Sequence, residues 1–407
     1  MKLDTDILIV GGGLNGPALA LALADTGFDV TLVDPTPQDI LRSDTFDGRS
    51  YALALASQRL LSTIDVWPNV ADHAQPILEI KVTDGRPGEG PTPFLLHFDH
   101  AEMEEGPMGY MVEDRHLRRA FLDRIDAHPK ITHVETTVSD HSVGTASVTA
   151  TLANGRSLTA QILVGSDGRG SQTAVRAGVK RSHVDYHQTA LVCAINHVRP
   201  HNGIAHQFFM PAGPLAILPL PGNRSSIVWS EKTDTAADIQ ASDDDAYLKA
   251  LRPRFGSFLG DISLAGPRFT YPLTQTLTEA FIAPRIALLG DAAHGVHPIA
   301  GQGLNLGLRD VAALAEVLTE ARRRGEDIGS DAVLSRYQGW RRFDTASLAM
   351  ATDVFNRLFS NDNPLLRLGR DLGIGAVNAM PSARRRFMRE AAGITGDLPK
   401  LMQGRQI

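Results

Sequence analysis

The sequence predicts an α/β fold in which a parallel-sheet unit is interrupted by an antiparallel sheet and followed by a helical C-terminal region. Three observations support this architecture. An apolar strand, a glycine-rich turn and a helix open the chain, and a second strand runs into a glycine-rich turn at Gly165–Ser171. Short strands separated by turn residues fill 189–231. The 407 residues, 43% of them hydrophobic, suffice for two or three domains with sizeable cores.

The N-terminal turn has the spacing and the setting of a dinucleotide-binding fingerprint. Ile7–Val10 is an apolar run that predicts a buried strand, and Ala18–Ala24 predicts a helix. Between them, glycines follow at G-x-G-x-x-G spacing: Gly11, Gly13 and Gly16. Val30–Val33 predicts a second strand, which ends at Asp34. Strand, turn, helix, strand and acid in this order indicate a Rossmann-like unit rather than a glycine turn without a ligand.

This unit suits a nucleotide for two physical reasons. Glycines allow the backbone to approach a pyrophosphate at the positive end of a helix. Asp34 can accept hydrogen bonds from a ribose diol and would repel a 2′-phosphate. We therefore predict that the turn, including Leu14 and Asn15, contacts the nucleotide.

The chain order suggests that three separate segments form the nucleotide-binding unit. The predicted boundaries are 1–75, 101–180 and 276–360 for this unit, 76–100 and 181–275 for the antiparallel substrate domain, and 361–407 for the C-terminal helices. Ala52–Ile64 and Met111–Ile125 have helical periodicity, and Asn154-Gly155 marks a hairpin.

Composition excludes several classes of protein. A net charge of −6 argues against general nucleic-acid binding. The one cysteine, Cys193, excludes an internal disulfide framework and is expected to be a buried small side chain, and no Cys/His spacing suggests a metal site. With no signal-peptide pattern and no run of 18 apolar residues, we expect a cytoplasmic protein.

Three segments together resemble a known family: Gly11–Asp34, Gly165–Ser171 and Gly290–Asp310. In this order they are similar to the para-hydroxybenzoate hydroxylase-like flavoprotein monooxygenases. The stretch 297–310 is more particular and resembles the signature of the ubiquinone-biosynthesis FAD-dependent aromatic hydroxylases. Further matches to that subfamily are Asp47–Arg49 with Ala52-Leu53, Gly213–Leu220 and Phe387–Gly393.

The resemblance implies FAD as cofactor and a role for each matching residue. Gly11, Gly13 and Gly16 would hold the pyrophosphate, Asp34 the adenosine ribose, and Asp291 the ribityl chain. Arg49 would reach the pyrophosphate or the flavin edge, and Asp167 with Gly168 matches an Asp-Gly motif near FAD. Asp114 lies where relatives place an amide or an arginine, so an acid there departs from the pattern. Leu304 and Asn305 complete the predicted cofactor contacts.

The implied activity is hydroxylation of the aromatic ring of a polyprenyl phenol in ubiquinone biosynthesis, with O2 and through a flavin C4a-hydroperoxide. Pro298 would lie against the isoalloxazine ring. Gly301, Gln302 and Gly303 open a helix whose free N–H groups would face the charge of the reduced flavin. NAD(P)H is the expected electron donor. A second G-x-G-x-x-G is absent, so NAD(P)H would bind transiently or a partner protein would deliver electrons.

Two alternatives stay open at this point. One is a soluble aromatic-acid or phenol hydroxylase of the same fold, whose pocket would need a cation for the carboxylate of an acid. The other is a flavin-binding subunit that supports a biosynthetic complex without turnover. His294 and His297 are expected to be structural, since the chemistry needs no protein nucleophile.

Two further expectations concern the substrate. The antiparallel strands carry large apolar side chains that would form a lid over it or would simply be core: Phe208, Phe209, Leu215, Ile217 and Trp229. The segment 364–391 has six arginines against two acids, with apolar residues between them. Either it docks the enzyme on a membrane or a biosynthetic complex, or it packs on the protein with its arginines solvated.

Overall fold

The computed structural model describes residues 3–86, 88, 90–296, 301–359, 375 and 377–407, with backbone alone for 86, 90–94, 346–349 and 351–359. The strands are β1 (Ile7–Val10), β2 (Val30–Asp34), β3 (Ser50–Ala54), β4 (Gln75–Ile77), β5 (Glu79–Arg86), β6 (Gly90–Asp99), β7 (Gly109–Glu113), β8 (Ile131–Glu135), β9 (Val138–Val143), β10 (Val148–Leu152), β11 (Ser157–Ala160), β12 (Ile162–Gly165), β13 (Arg181–His197), β14 (Ile204–Met210), β15 (Gly213–Leu220), β16 (Arg224–Lys232), β17 (Ile262–Leu264), β18 (Phe269–Thr278), β19 (Ile282–Ala283), β20 (Ile286–Leu288) and β21 (His294–Gly295).

The helices are α1 (Asn15–Ala24), α2 (Gln38–Leu41), α3 (Leu55–Thr63), α4 (Asp114–Asp126), α5 (Gln172–Arg176), α6 (Thr233–Ala241), α7 (Asp244–Phe255), α8 (Gln302–Arg323), α9 (Asp331–Phe359) and α10 (Pro381–Ala391). Among the described helices, none has both the length and the apolar character that a bilayer crossing requires.

A six-stranded sheet forms the nucleotide-binding layer, in the order β19-β20-β12-β1-β2-β8. The pairs β20-β12, β12-β1, β1-β2 and β2-β8 are parallel, as expected for apolar strands joined through helices. The strand β1 lies next to both β2 and β12, so the two glycine turns that follow β1 and β12 meet at one sheet edge. This is where the first and second predicted nucleotide-binding segments come together.

A larger, mostly antiparallel sheet has the order β21-β18-β13-β16-β15-β14-β5-β6, with β17 also paired to β13. The strands β13, β16, β15 and β14 form the predicted antiparallel arrangement, and β5 joins β14 in parallel. Two three-stranded sheets, β11-β10-β9 and β3-β7-β4, complete the described strands. The first contains the predicted hairpin, because β10 and β11 pair antiparallel around Asn154-Gly155.

Two predicted helices begin later than the pattern indicated. Residues 52–54 belong to β3, so helix α3 begins at Leu55. Residues 111–113 belong to β7, so helix α4 begins at Asp114. In both places a strand of the β3-β7-β4 sheet runs directly into a helix. The apolar pattern continues across the junction, and the periodicity alone extends the helix too far.

Candidate active site

A cavity of about 2090 Å³ lies between the parallel sheet and the large antiparallel sheet. Its wall includes the glycine turn after β1 and apolar side chains of the large sheet. This volume is beyond the roughly 300–1,000 Å³ of an ordinary small-molecule pocket. The cavity therefore has room for a large cofactor and a second molecule beside it.

The glycines of the first turn fall into two kinds. A Cβ on Gly16 would lie 2.0 Å from the carbonyl oxygen of Gly11, and Gly11 itself has a φ of 113°. The fold needs these two glycines for close helix–strand packing and for the turn. Gly13 is different, because nothing lies within 4 Å of its Cβ position and it borders the cavity. Close approach of a ligand explains a glycine that the protein's own packing does not require.

Asp34 ends β2 beside this turn and borders the cavity. Its Oδ2 accepts a hydrogen bond from the backbone N–H of Gly12 at 2.6 Å, and its Oδ1 accepts one from Thr36 at 2.8 Å. A carboxylate has about four acceptor positions, so capacity for further donors remains. Asp34 is therefore held in place by the backbone while its free lone pairs are available to a ligand's hydroxyl groups.

Helix α8 begins at the cavity with an unusual cap. Gly301 is the N-cap residue in the left-handed conformation, with a φ of 64°. Gln302, Gly303 and Leu304 line the cavity, and the Cβ position of Gly303 has nothing within 4 Å. The N–H groups of a first helical turn have no partner inside the helix, so this end can stabilise negative charge in the cavity. Pro298, the other predicted catalytic residue, lies outside the described residues.

Asn305 clamps the start of α8 to the rest of the unit. Its Oδ1 accepts hydrogen bonds from the Ala54 backbone N–H and from the Ser57 hydroxyl, both at 2.8 Å. Its Nδ2 donates to the carbonyl oxygen of Ala52 at 2.8 Å and to that of Gly301 at 3.3 Å. The amide is thereby saturated by protein groups. The side chain of Asn305 positions Gly301, the left-handed N-cap residue. A cofactor could therefore contact Asn305 only through its backbone.

The side chain of Asn15, at the start of helix α1, packs closely against two glycines. A Cβ on Gly290 or on Gly307 would lie 2.3 Å from its Nδ2. Its Oδ1 is buried and, in the described part of the chain, has no hydrogen-bond partner. Because Asn15 also borders the cavity, an unsatisfied buried acceptor there indicates a missing donor from a ligand or water.

The turn after β20 carries Asp291, which forms an ion pair with Arg169 at 3.0 Å. Arg169 also donates to the Thr274 hydroxyl at 3.4 Å and to the carbonyl oxygen of Val296 at 3.3 Å. Both charged side chains are more than a third exposed and line the cavity. The sequence prediction included Asp291 but missed Arg169, although Arg169 directly follows the predicted Gly168.

Asp167 and Gly168 have different roles at the second glycine turn. The Asp167 carboxylate accepts hydrogen bonds from the Ser171 hydroxyl and from both the backbone N–H and the hydroxyl of Thr173, at 2.5 to 2.9 Å. It therefore stabilises the start of α5, while the cavity wall here is formed by Ser166, Gly168 and Arg169. Spacing alone could not distinguish a ligand-binding acid from one that caps the adjacent helix.

A charged cluster also lines the cavity. Arg49 forms ion pairs with Asp47 at 2.5 Å and with Asp114 at 3.0 Å, and Arg118 pairs with the same Asp114 oxygen at 2.5 Å. Burial raises the pKa of Asp114, and the two arginines act in the opposite direction. Asp114 thus orders two cavity-lining guanidinium groups, and Arg118, one helical turn further on, was not predicted.

For four of the five large apolar residues of the antiparallel strands, the structure confirms the core alternative and not the lid. Neighbouring residues in a strand point to opposite faces. Phe209 lines the cavity. The other four pack in a separate core with residues of α6 and α7: Phe208, Leu215, Ile217 and Trp229. Cys193 lies in the same core, where burial raises its pKa to about 11, as expected for a structural cysteine.

A buried charge network is hydrogen-bonded to the turn that carries Asp291. Asp310 on α8 accepts hydrogen bonds from the His294 ring and from the backbone N–H of Gly290, and a third from Arg341 at 2.8 Å. All three side chains are at most 1% exposed. Burial opposes ionisation of Asp310, but His294 and Arg341 outweigh it and lower its pKa. His294 therefore has the structural setting that the sequence predicted for it.

Comparison with known proteins identifies the family. A family profile described as "FAD binding domain" matches residues 4–350. The ubiquinone hydroxylase UbiL of Rhodospirillum rubrum is 46% identical over 406 residues, which cover 98% of this chain and 92% of that protein. The chain belongs to the FAD-binding-domain family. A second relative, 3-demethoxyubiquinol 3-hydroxylase of Escherichia coli, is 34% identical over 394 residues, which cover 96% of this chain and 99% of that protein.

Solved structures of more distant proteins share the fold of this chain. The p-nitrophenol 4-monooxygenase PnpA of Pseudomonas putida superposes with a TM-score of 0.80 at 18% identity, over 97% of this chain and 99% of the other. PqsL of Pseudomonas aeruginosa superposes with a TM-score of 0.76 at 22% identity, over 91% of this chain and 99% of the other. At these identities the likeness establishes the fold alone, an α/β unit combined with an antiparallel sheet.

The residues of the cavity fit FAD. The open glycine positions at Gly13 and Gly303 leave space where a ligand can touch backbone, and Asn15 presents an unsatisfied buried acceptor. Arginines near the glycine turn suit a pyrophosphate, and Asp34 suits a ribose. These features lie along one continuous cavity wall, as an extended dinucleotide requires.

Proposed function

We propose that this protein is an FAD-dependent monooxygenase that hydroxylates the aromatic ring of a polyprenyl phenol in ubiquinone biosynthesis. One observation carries the proposal: the cavity continues from the FAD-fitting turn to an apolar wall of the large sheet. The names of the two relatives, a ubiquinone hydroxylase and a demethoxyubiquinol hydroxylase, support the same substrate class. When bound, the FAD would supply the oxygen-activating redox chemistry.

Each group of protein residues would then have a defined task. Gly11, Gly13 and Gly16 with Leu14 would accommodate the pyrophosphate, and Asp34 the ribose. Arg49 and Arg118, ordered by Asp114, would neutralise phosphate charge, and Asp291 would accept hydrogen bonds from the cofactor's polyol chain. The backbone N–H groups at the start of α8, at Gly303 and Leu304, would stabilise negative charge that develops at the reacting end. We propose a division of the chain in which 1–75, 101–180 and 276–360 hold FAD.

Water exclusion would fall to the sheet. The described sheet side chains that border the cavity are mainly apolar: Ile80, Val82, Leu96, Phe98, Phe209, Ala216, Leu218 and Val228. Such a wall limits the access of water to the reaction site and suits a prenyl substituent.

The soluble aromatic-acid hydroxylase is the weaker alternative. It would need a cation in the substrate wall to meet a carboxylate. Among the described residues of the large sheet that border the cavity, there is no lysine or arginine. An uncharged phenol fits such a wall, whereas a carboxylate buried there would lack a partner.

The test uses the FAD-loaded protein with NADH or NADPH and geranylphenol under labelled O2. We expect one labelled oxygen in the ring of the product and a stoichiometric loss of reduced nicotinamide. A deletion strain should accumulate the unhydroxylated polyprenyl intermediate, whose structure identifies the ring position. NAD(P)H oxidation that yields only hydrogen peroxide would contradict the proposed substrate class. No flavin reduction by either nucleotide would point to a partner protein as the electron donor.

Access to a bilayer substrate requires a surface contact, and we propose that α10 provides it. Arg385 and Arg386 are exposed, and Phe387 is 48% exposed. Arg386 and Phe387 also border the cavity. Two other arginines of the predicted basic segment are engaged within the protein, since Arg384 and Arg389 pair with acids at 102 and 105. Arg367 and Arg370 lie outside the described residues.

A further inference from the structure

The cavity-facing side of the large sheet has an amide in its central row. Residues that pair across neighbouring strands share a face. Gln207 on β14 pairs with Ala216 on one side and with Val82 on the other. Beyond them, Ala216 pairs with Val228, and Val82 pairs with Leu96. All five residues border the cavity, so the row is apolar on both sides of Gln207.

The Gln207 amide is available to a ligand. Within the described residues, its side chain makes no hydrogen bond to the protein. The adjacent residues on the same face, Ala205 and Phe209, are apolar and have no side-chain group to offer it. By contrast Ser226, also on this face, accepts a hydrogen bond from the Ser50 hydroxyl at 2.9 Å. A primary amide in an apolar wall is unfavourable unless it is hydrogen-bonded, so this one calls for a partner inside the cavity.

We propose that Gln207 recognises the ring oxygen of the aromatic substrate and thereby selects the ring carbon that is hydroxylated. The proposal rests on the proposed function and adds the group that orients the ring. An apolar wall can enclose a phenyl ring but cannot fix its rotation in its own plane. An amide can donate to and accept from a phenol hydroxyl, and it needs no counter-ion. It therefore matches a neutral phenol better than a carboxylate.

Strand geometry argues against a purely structural role for Gln207. Its strand is held by backbone pairing to β15 and β5, which does not depend on the side chain. The preceding residue, His206, points to the other face, where its ring lies 4.5 Å from that of Phe258. Replacing Gln207 by a residue of similar length should therefore change the cavity wall and leave the core beneath the sheet intact.

The test is a cycle of two proteins and two ligands. Wild type and Gln207→Met, both loaded with oxidised FAD, are titrated with geranylphenol and with geranylbenzene, and binding is followed by the change in flavin absorbance. Methionine keeps the length of the side chain and removes its hydrogen bonds. We expect the wild type to prefer the phenol by about tenfold, the value of one net hydrogen bond. Gln207→Met should bind the two ligands equally.

Two further variants separate recognition from damage to the fold. Gln58→Met makes the same change on helix α3 away from the cavity and should keep the tenfold preference. Gln207→Asn keeps the amide but withdraws it by one methylene. It should change the ratio of ring-hydroxylated isomers or raise the share of hydrogen peroxide, without a change in thermal stability. This readout also applies if the methionine variant fails to fold.

The outcomes distinguish this inference from the proposed function. An unchanged tenfold preference in Gln207→Met, with an unchanged product pattern in Gln207→Asn, would overturn the role of Gln207 even if the wild type hydroxylates geranylphenol. If the wild type binds the phenol with the expected preference but does not hydroxylate it, the proposed reaction fails and the recognition by Gln207 stands.

Discussion

The carboxylate of Asp310 accepts a 3.0 Å hydrogen bond from the backbone N–H of Gly290, the residue before Asp291. A buried side chain of helix α8 thereby holds the turn that presents a predicted cofactor ligand. The same helix contributes its first turn to the cavity. The two parts of the site are thus connected through one charged residue whose carboxylate is fully buried.

We predict that Asp310→Ala lowers the free energy of unfolding of the flavin-free protein by about 3–5 kcal/mol. Removing one partner of a buried charge pair leaves the other unpaired, here Arg341 together with the His294 ring. Urea unfolding followed by far-UV circular dichroism measures the change. Asp238→Asn, on an exposed part of α6, is the control and should alter stability by less than about 0.5 kcal/mol. A loss as small as that control in Asp310→Ala would contradict the role of the network.

The glycines offer a test that separates cofactor binding from folding. Gly303→Val should weaken FAD binding by at least about tenfold, because the added side chain occupies space that only a ligand would fill. The flavin-free protein should unfold at nearly the same temperature as wild type. Gly16→Ala should show the opposite pattern and destabilise the flavin-free protein, since its Cβ would lie 2.0 Å from the Gly11 oxygen. Normal FAD affinity in Gly303→Val would place the cofactor elsewhere.

Asp291 gives a complementary prediction. Asp291→Ala should lose FAD while keeping its stability, because its ion pair with Arg169 is partly exposed and such pairs contribute about 0–1 kcal/mol. Fluorescence of released flavin in equilibrium dialysis measures the affinity. Asp261→Ala, an exposed acid outside the cavity wall, is the matched control. Equal FAD affinity in the two variants would remove Asp291 from the site.

The fold was largely predictable because local patterns and long-range spacing agree. The turn at Gly11–Gly16 requires a strand before it and a helix after it, and the structure has both. The short strands of 189–231 could be recognised from their turns. By contrast, the junctions at Leu55 and Asp114 were misplaced, since an apolar pattern that passes from strand to helix has no local signal for the change.

The site was predictable at its glycines and less so at its polar side chains. A motif can indicate that Asp167 and Asn305 belong to the site, but only contacts show that the first caps α5 and that the second has its amide saturated by protein groups. Arg169 and Gln207 were missed for a related reason. Each becomes notable through what it faces, which the sheet pairing and the meeting of distant turns decide.

Acid should destabilise the protein partly through His206. Burial lowers its pKa from 6.5 to about 4, so the folded state keeps the ring neutral while the unfolded chain binds a proton below pH 6.5. Stability present above pH 6.5 is therefore lost as the pH falls toward 4, and between pH 7 and pH 5 the loss is about 2 kcal/mol. His206→Phe should remove this part of the pH dependence in urea unfolding. An identical pH dependence in the variant would show that the ring protonates equally in both states.

The last prediction concerns the surface of α10. The double variant Arg385→Gln/Arg386→Gln should bind anionic vesicles of phosphatidylglycerol and phosphatidylcholine more weakly than wild type, by about 2 kcal/mol at low salt, since each basic residue near such a surface contributes about 1 kcal/mol. Wild-type binding in vesicle sedimentation should also fall as salt is added.

Arg384→Gln is the matched control on the same helix. Its guanidinium already pairs with Glu102, so its loss should change stability and leave vesicle binding nearly unchanged. If wild type ignores anionic vesicles at low salt, α10 does not contact the membrane, and access to the lipid substrate must depend on a partner protein. Equal weakening by the control and the double variant would mean that the packing of α10, not its exposed charge, determines the contact.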